Sequence, residues 1–393
     1  MVFERSESDL VSRGAGIVSG TLVWQNMMTQ GLFDSTVPGC RADYSRLVTR
    51  EPETGQERWL GDIQMGFTLF NWAHLYESLR RNVPDELYRS DAAVERIEAT
   101  SHGAILHLVH GGSADFDLVV CADGYRSLGR WFIDPGAAPI YRGMVLWRGL
   151  IPERDASVDA LAGCDLLRPV YQGGHGLAGY IPGPGQSTER GERLLMWGYY
   201  LQVPQSALAS VLVDDQERQQ SNSVPFGKVH PEVRAALESR LAELLPSSLL
   251  ELVQQSGHSS IQAIYSFVPR SYARDRVCLV GDAGAVFPPF AGGGVLRAVA
   301  NATSLTDALA DAPSVDHALR RWSEAQAQVA AEVIPDAEGI ERHYVFDMPD
   351  LGTMPTAAAN DWVSASYSGL AVTLPGVLPA RPQSADPPPG PQD

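Results

Sequence analysis

The chain has little of what marks secreted, membrane-spanning, metal-binding or nucleic-acid-binding proteins. Its 393 residues contain four cysteines, Cys40, Cys121, Cys164 and Cys278, scattered and in no C-x-x-C pair. Such spacing argues against a disulfide scaffold or a cysteine-built zinc site. Cys121 and Cys278 fall inside apolar runs and read as packed thiols. No H-E-x-x-H occurs, and no metal is expected. Met1 is followed by an acidic, polar stretch rather than a basic and then apolar one, so no secretory signal is read and a cytoplasmic protein is expected. No run approaches the ~20 apolar residues of a membrane span. Lys and Arg number 30 against 47 Asp and Glu, a net charge of −17. With no basic stripe among aromatics, that balance argues against nucleic acid or an anionic membrane as partner. There is no internal repeat, and neither a strand–G-x-S-x-G elbow nor a Ser-His-Asp order supports a hydrolase.

What is present suits a two-domain soluble protein. The hydrophobic fraction, 44%, is ordinary, and the length exceeds one average domain. Ser19–Phe33 and Asn71–Val83 have helical spacing, the second with Leu75 and Leu79 at i, i+4. Arg46–Gly61 reads as a hairpin turning at Pro52–Gly55. Residues 93–124 read as successive strands between glycine turns. Residues 141–203 carry strand-like aromatics with no long helical period and suit an antiparallel sheet. Pro231–Gln254 is strongly helical, with Pro231 in the first turn. Strands are expected at 261–268 and 276–282, and a further helix at 315–334. From 371 the chain is Pro-rich without a packing pattern and reads as a disordered tail.

The most informative tract is RVCLVGDAGAVFPPFAGGG, Arg276–Gly294. It reads as a buried strand, an acid at the strand end, a proline bend and a glycine run leading into a helix. An acid there, Asp282, lies at the carboxyl edge of a sheet, where α/β folds bind ligands. It can accept hydrogen bonds from ligand hydroxyls. Pro288 and Pro289 stiffen the loop. Gly292, Gly293 and Gly294 let a flat or phosphorylated ligand approach backbone amides at a helix N-terminus. A second strand-then-acid element, DLVVCADGYRSLGR (Asp117–Arg130), ends in Asp123-Gly124.

The paired Gly-Asp and Asp-Gly elements resemble the fingerprints of the FAD-dependent aromatic hydroxylases, single-component flavin monooxygenases. The resemblance covers about residues 2 to 335. It implies an α/β fold: a Rossmann-like FAD-binding domain (1–43, 65–140 and 271–335) interleaved with an antiparallel-sheet substrate domain (44–64 and 141–270). A C-terminal segment, 336–370, follows. It further implies that Asp282 holds the ribityl chain and that Asp123 serves the FAD and NAD(P)H sites. Glu4 binds the adenosine ribose and Arg13 neutralises the pyrophosphate. The loop Pro288–Gly294, with Pro289, Gly292, Gly293 and Gly294, borders the isoalloxazine. The nearest branch is the 2,6-dihydroxypyridine 3-hydroxylases. They share Ala291 in place of the usual loop glycine, and Trp72 stands where the wider family has an arginine. One part of the pattern is missing. VFERSESDLVSRGAGI matches the second Rossmann strand and its loop, with Arg13, Gly14 and Gly16. The G-x-G-x-x-G turn and the strand and helix around it would precede Met1. The expectation is a start site placed too far downstream, the alternative a truncated gene.

The implied activity is hydroxylation of an aromatic or N-heteroaromatic small molecule with FAD, NADH or NADPH, and O2. The resemblance leaves room for a homodimer without fixing the oligomeric state. Within the substrate domain His175, Tyr171, Tyr199 and Tyr200 are candidates for a base or donor network, His175 and Tyr199 foremost, with His175 expected in a loop. Trp147 and Arg148 read as a structural sheet pair. The alternatives are a non-catalytic remnant lacking the first βα unit, or another FAD enzyme of the fold, a reductase or halogenase.

Overall fold

The computed structural model describes residues 1–7, 10, 15–29, 31–156, 161, 164–289 and 294–367. The chain begins with β1 (Val2–Phe3), β2 (Gly16–Gly20), α1 (Thr21–Thr29), β3 (Gly39–Arg50), β4 (Glu57–Asn71) and α2 (Trp72–Arg81). Five short strands follow, β5 (Tyr88–Arg89), β6 (Val94–Ala99), β7 (Ala104–Leu108), β8 (Ser113–Phe116) and β9 (Val119–Cys121), then α3 (Leu128–Ile133). The central region holds β10 (Ile140–Pro152), β11 (Leu166–Tyr171), β12 (Gly174–Ile181), β13 (Leu194–Gln202), α4 (Gln205–Val211), β14 (Ser223–Val224), α5 (Pro231–Leu244), α6 (Ser247–Gln255) and β15 (His258–Ser266). The last part comprises β16 (Ala273–Arg274), β17 (Val277–Leu279), α7 (Gly294–Asp311), α8 (Val315–Glu341), a π-helical turn (Arg342–Phe346) and α9 (Thr356–Tyr367).

Local chemistry explains most boundaries. Asn71 caps α2, its side chain accepting from the Ala73 amide, and Ser314 caps α8. Pro231 opens α5. Pro246 divides the expected single helix into α5 and α6, because proline cannot donate within a helix. α8 runs past the expected end at 334 and carries Pro335 within it.

Nine strands form one sheet in the order β14-β15-β10-β13-β12-β11-β3-β4-β2. The boundaries expected at 43/44 and 64/65 fall within β3 and β4, and the register of their pairing shifts between Ala42 and Tyr44. Alternation along β10 sorts its side chains. Val145, Trp147 and Ile151 enter the core under α4, α5 and α6, with Trp197, Tyr199, Leu241 and Leu252. Met144 and Leu146 point to the second face, where Tyr344, Val345, Leu351 and Val363 of the C-terminal segment cover them. Gly149 is required by packing, since a Cβ there would lie 2.4 Å from Trp197 Cζ2. A separate three-stranded sheet, β16-β17-β9, forms another core with Tyr272, Leu319 and Trp322. Cys121 and Cys278 are buried there as free thiols, and burial pushes the Cys278 thiol up to about 12.

α8 joins the two cores, packing Trp322 at one end and leading into the π-helical turn at the other. That junction is held by a buried ion pair. Glu341 is 2% exposed, and Arg142 Nε donates to both its carboxylate oxygens at 3.0 Å. Arg142 sits at the bulge of β10, beside Gly143 with φ +74°. Removing one partner of a buried pair strands the other charge. Arg142→Met is therefore expected to lower the unfolding free energy by about 3–5 kcal/mol, whereas Arg41→Met, at the exposed pair with Asp43, changes it by under ~0.5 kcal/mol. Urea unfolding followed by tryptophan fluorescence checks this, and equal effects would remove the junction role.

Candidate active site

The two strand-then-acid elements meet in space. β9 and β17 pair in parallel, with Cys278 opposite Val120 and Leu279 opposite Cys121, so both acids leave the same edge. After β17 the chain turns through Gly281–Ala283, with Gly281 at φ +59° and its amide donating to Asn301 Oδ1 of α7 at 2.9 Å. Asp282 is 57% exposed, and its Oδ1 accepts from Arg297 Nη2 at 2.8 Å. After β9, Asp123 Oδ2 accepts from the Leu128 and Gly129 amides at 2.6 and 3.4 Å, which makes it a cap for α3.

Arg130 ties the two turns together. Its Nε donates to the Ala283 carbonyl at 3.2 Å, and its Nη2 donates to the carbonyls of Gly124 and Asp282 at 3.2 and 3.0 Å. The guanidinium also lies 4.3 Å above the Phe267 ring. Desolvation lowers its pKa, and the nearby Asp123, Tyr125 and Asp282 work against that shift.

β1 stands apart from β9. It pairs in parallel with β5, and the Glu4 amide extends that ladder to Arg89. Glu4 Oε1 accepts from the Ser6 amide at 2.8 Å. Among the described residues no strand joins β1 to β9. A cavity of about 750 Å³ separates them, bordered by Phe3, Glu4, Trp72, Val120, Asp123 and Leu128. On the α7 side, Pro288 is buried and Pro289 exposed, and Gly294 begins the helix, exposed. Arg13, Gly14, Ala291, Gly292 and Gly293 lie outside the described residues.

On the nine-stranded sheet, neighbouring tyrosines part company. Tyr199 enters the helix-covered core, 5.4 Å from Trp197, with no hydrogen-bond partner for its buried hydroxyl. Tyr200 faces the second side. Tyr171 is spent structurally, donating to the carbonyls of His175 and Tyr200 at 3.0 and 2.9 Å. His175 is buried in β12 rather than placed in a loop, 4.7 Å from the Tyr200 ring. Its flanking glycines serve packing: a Cβ at Gly174 would lie 2.2 Å from the Tyr200 carbonyl, and one at Gly176 the same distance from Tyr199 Cδ1.

Sequence reading overlooked Arg297, the partner that orients Asp282, and Arg130 as the bridge. Spacing offered one signal for Arg297, three residues into a helix that follows a glycine run. Tyr344, 5.7 Å from His175, comes from a distant segment that no motif announced.

Burial, with Arg168 adding to it, pushes the His175 imidazole down from 6.5 to about 3, and a backbone hydrogen bond with Tyr344 partly offsets the shift. A folded pKa below the unfolded one means the unfolded chain binds the extra proton, so stability falls as pH drops below 6.5 and continues falling toward 3. Between pH 6.5 and about 5 the wild type should lose about 2 kcal/mol more than His175→Gln. Urea titrations of both at the two pH values check this; parallel pH dependence would mean that His175 titrates normally.

Comparison with known proteins adds to this geometry. Residues 141–266 match the FAD binding domain-like family and residues 231–337 the FAD binding domain family. The chain is 27% identical to 3-amino-4-hydroxybenzoate 2-monooxygenase of Streptomyces cremeus over 364 residues, 89% of this chain and 82% of that protein. It shares the fold of 2,6-dihydroxypyridine-3-hydroxylase from Arthrobacter nicotinovorans, with a TM-score of 0.79, 20% identity, and coverage of 90% of this chain and 88% of that one. Klebsiella pneumoniae HpxO, solved with FAD and uric acid, matches with a TM-score of 0.66 and 18% identity over 94% and 85% of the two chains. Two strand-end acids bridged by one arginine, beside a helix N-terminus and a broad sheet, thus sit in a chain with FAD-binding domains that is similar to FAD-dependent aromatic hydroxylases, a flavoprotein whose cofactor is FAD.

Proposed function

We propose that this flavin monooxygenase hydroxylates an aromatic or N-heteroaromatic small molecule, using NADH or NADPH as reductant and O2 as oxygen source. The observation that carries the reading is the meeting of the Asp282 turn, oriented by Arg297 of α7, with the Asp123 turn through Arg130. FAD, when bound, supplies the dioxygen chemistry. The chain's own residues bind, orient and exclude water.

The residues present fit the ribityl half of the cofactor. The Asp282 carboxylate is exposed, and Arg297 fixes its rotamer through one oxygen while the other stays open to ligand hydroxyls. The α7 amides from Gly294 onward suit an anionic edge of a ring. Glu4 has one carboxylate oxygen engaged by Ser6, leaving the second for a ribose hydroxyl. Pro289 borders the same turn. Asp123, spent on the α3 amides, acts here by shaping its turn. The pyrophosphate half is different. Its place falls at the cavity between β1 and β9, where a strand and helix N-terminus would supply amide donors. Tyr200, rather than Tyr199, is the tyrosine suited to orienting a substrate ring, because it lies on the second face.

Two outcomes are expected. Asp282→Ala should weaken FAD by about 1.5–3 kcal/mol, the worth of charge-assisted hydrogen bonds. Flavin fluorescence titration measures it, and unchanged affinity would remove Asp282 from the site. For the reaction, aromatic substrates should accelerate NAD(P)H oxidation and yield a product heavier by one oxygen atom. Reduction of an alkene or incorporation of a halide instead would reassign the chemistry.

A further inference from the structure

The second face of the sheet is largely apolar, with Arg168, His175 and Tyr200 in one part of it and Arg148 in another. Along β10, Leu146 packs with the cluster under the C-terminal segment, and Leu150 packs with a separate cluster around Leu69, Leu166 and Met196. Arg148 lies between them. In register, Arg148 stands opposite Gly198 on one side and Ser260 on the other, and Gly198 stands opposite Leu177. The cross-strand row therefore reads Leu177, Gly198, Arg148, Ser260. Gly198 carries no side chain. Around it, Leu146, Leu150 and Leu177 are only partly buried. The result is a small apolar pad with a guanidinium at its edge.

That guanidinium is under-used. Its Nε donates to Ser260 Oγ at 3.2 Å, and Phe226 lies 5.6 Å from its centre. Among the described residues no carboxylate comes within ion-pair distance of it. Other enclosed arginines are engaged more fully: Arg142 with Glu341, Arg193 with Glu153, Arg297 with Asp282, and Arg130 with three carbonyls. Desolvation lowers the pKa of Arg148, and the group that opposes this is Tyr200. The residue nevertheless keeps some solvent-accessible surface. Crowding with residual access is what a group at the wall of a crevice shows. A charge removed from water without a counter-charge is costly, so an anionic partner is favoured strongly there. Arg168 adds positive potential, since both guanidiniums act on the Tyr200 hydroxyl.

We propose that Arg148 is a specificity-determining residue that receives the oxyanion of an aromatic ligand, a carboxylate or a phenolate, whose ring lies on the Gly198 pad against Leu146, Leu150 and Leu177. The planar fork matches a carboxylate bidentately and a phenolate through one or both Nη groups. The inference deepens the hydroxylase reading and rests on it for the ligand being a substrate.

The test is direct binding without flavin, by calorimetry. Four probes are used: 4-hydroxybenzoate and its neutral isostere 4-hydroxybenzamide, and 4-nitrophenolate and 4-nitroanisole. At least one anion should bind about tenfold or more tightly than its neutral counterpart, and the pair that discriminates tells carboxylate from phenolate. Arg148→Gln should abolish the preference, and Arg148→Lys should keep part of it. Gly198→Val should weaken both members of the discriminating pair by filling the pad. Near-UV circular dichroism verifies folding; if Arg148→Gln fails to fold, the lysine and Gly198 variants carry the test. No binding of any probe, equal binding within both pairs, or a preference that survives at every variant would overturn the proposal. A protein that prefers the anion yet never retains FAD would sink the hydroxylase reading alone. One that retains FAD with no anion preference would sink this inference alone.

Discussion

Alternation along the strands of the nine-stranded sheet is the constraint on which the molecule depends. In β10 and β13, one parity feeds the core beneath α4, α5 and α6, and the other parity faces the C-terminal segment. A slip of one residue would exchange the two sets, sending Arg148 into the helix core and Trp147 to the other side. The register is pinned where substitution is least tolerated. Trp147 and Trp197 meet edge to face at 5.4 Å, Trp197 Nε1 donates to Ser256 Oγ at 2.6 Å, and Gly149 leaves room for the indole. Packing on one face thus fixes which groups are available on the other.

Charge is organised just as locally. The chain carries a net charge of −17, yet Arg148 and Arg168 both act on Tyr200. Global charge governs solubility and long-range steering, while an enclosed site responds to the few groups around it. Arg130 illustrates the same point at the ends of β9 and β17. Its role is to satisfy carbonyls from two separate turns, so that the ends of β9 and β17 keep a fixed spacing.

Much of this was legible in the sequence where signals are local. Val277–Leu279 followed by Gly-Asp, the Pro52–Gly55 turn between β3 and β4, and the capped helix from Trp72 all follow from short-range rules. What escaped depends on register or on distant partners. Tyr199 and Tyr200 are adjacent, and only strand parity sends them to different core clusters on opposite faces of the sheet. His175 looked like a loop residue because glycines flank it, but those glycines admit the Tyr200 backbone and the Tyr199 ring. Trp147 and Arg148 both lie in β10, as the sheet pair expected, and alternation sends the two to opposite faces.

The C-terminal segment has a consequence for how the chain is made. Arg58 in β4 holds that segment by donating to the carbonyls of Leu351, Gly352 and Met354 and to Thr356 Oγ1. The partners lie at the far end of the chain, so this closure spans a very long loop. During synthesis the helix face of the sheet can close once β15 has emerged. The face bearing Arg148 must wait for α9. In the interval Leu47, Leu60, Met144 and Ile264 have no cover from their native partners, which makes the nascent chain, rather than the finished protein, the stage most exposed to aggregation.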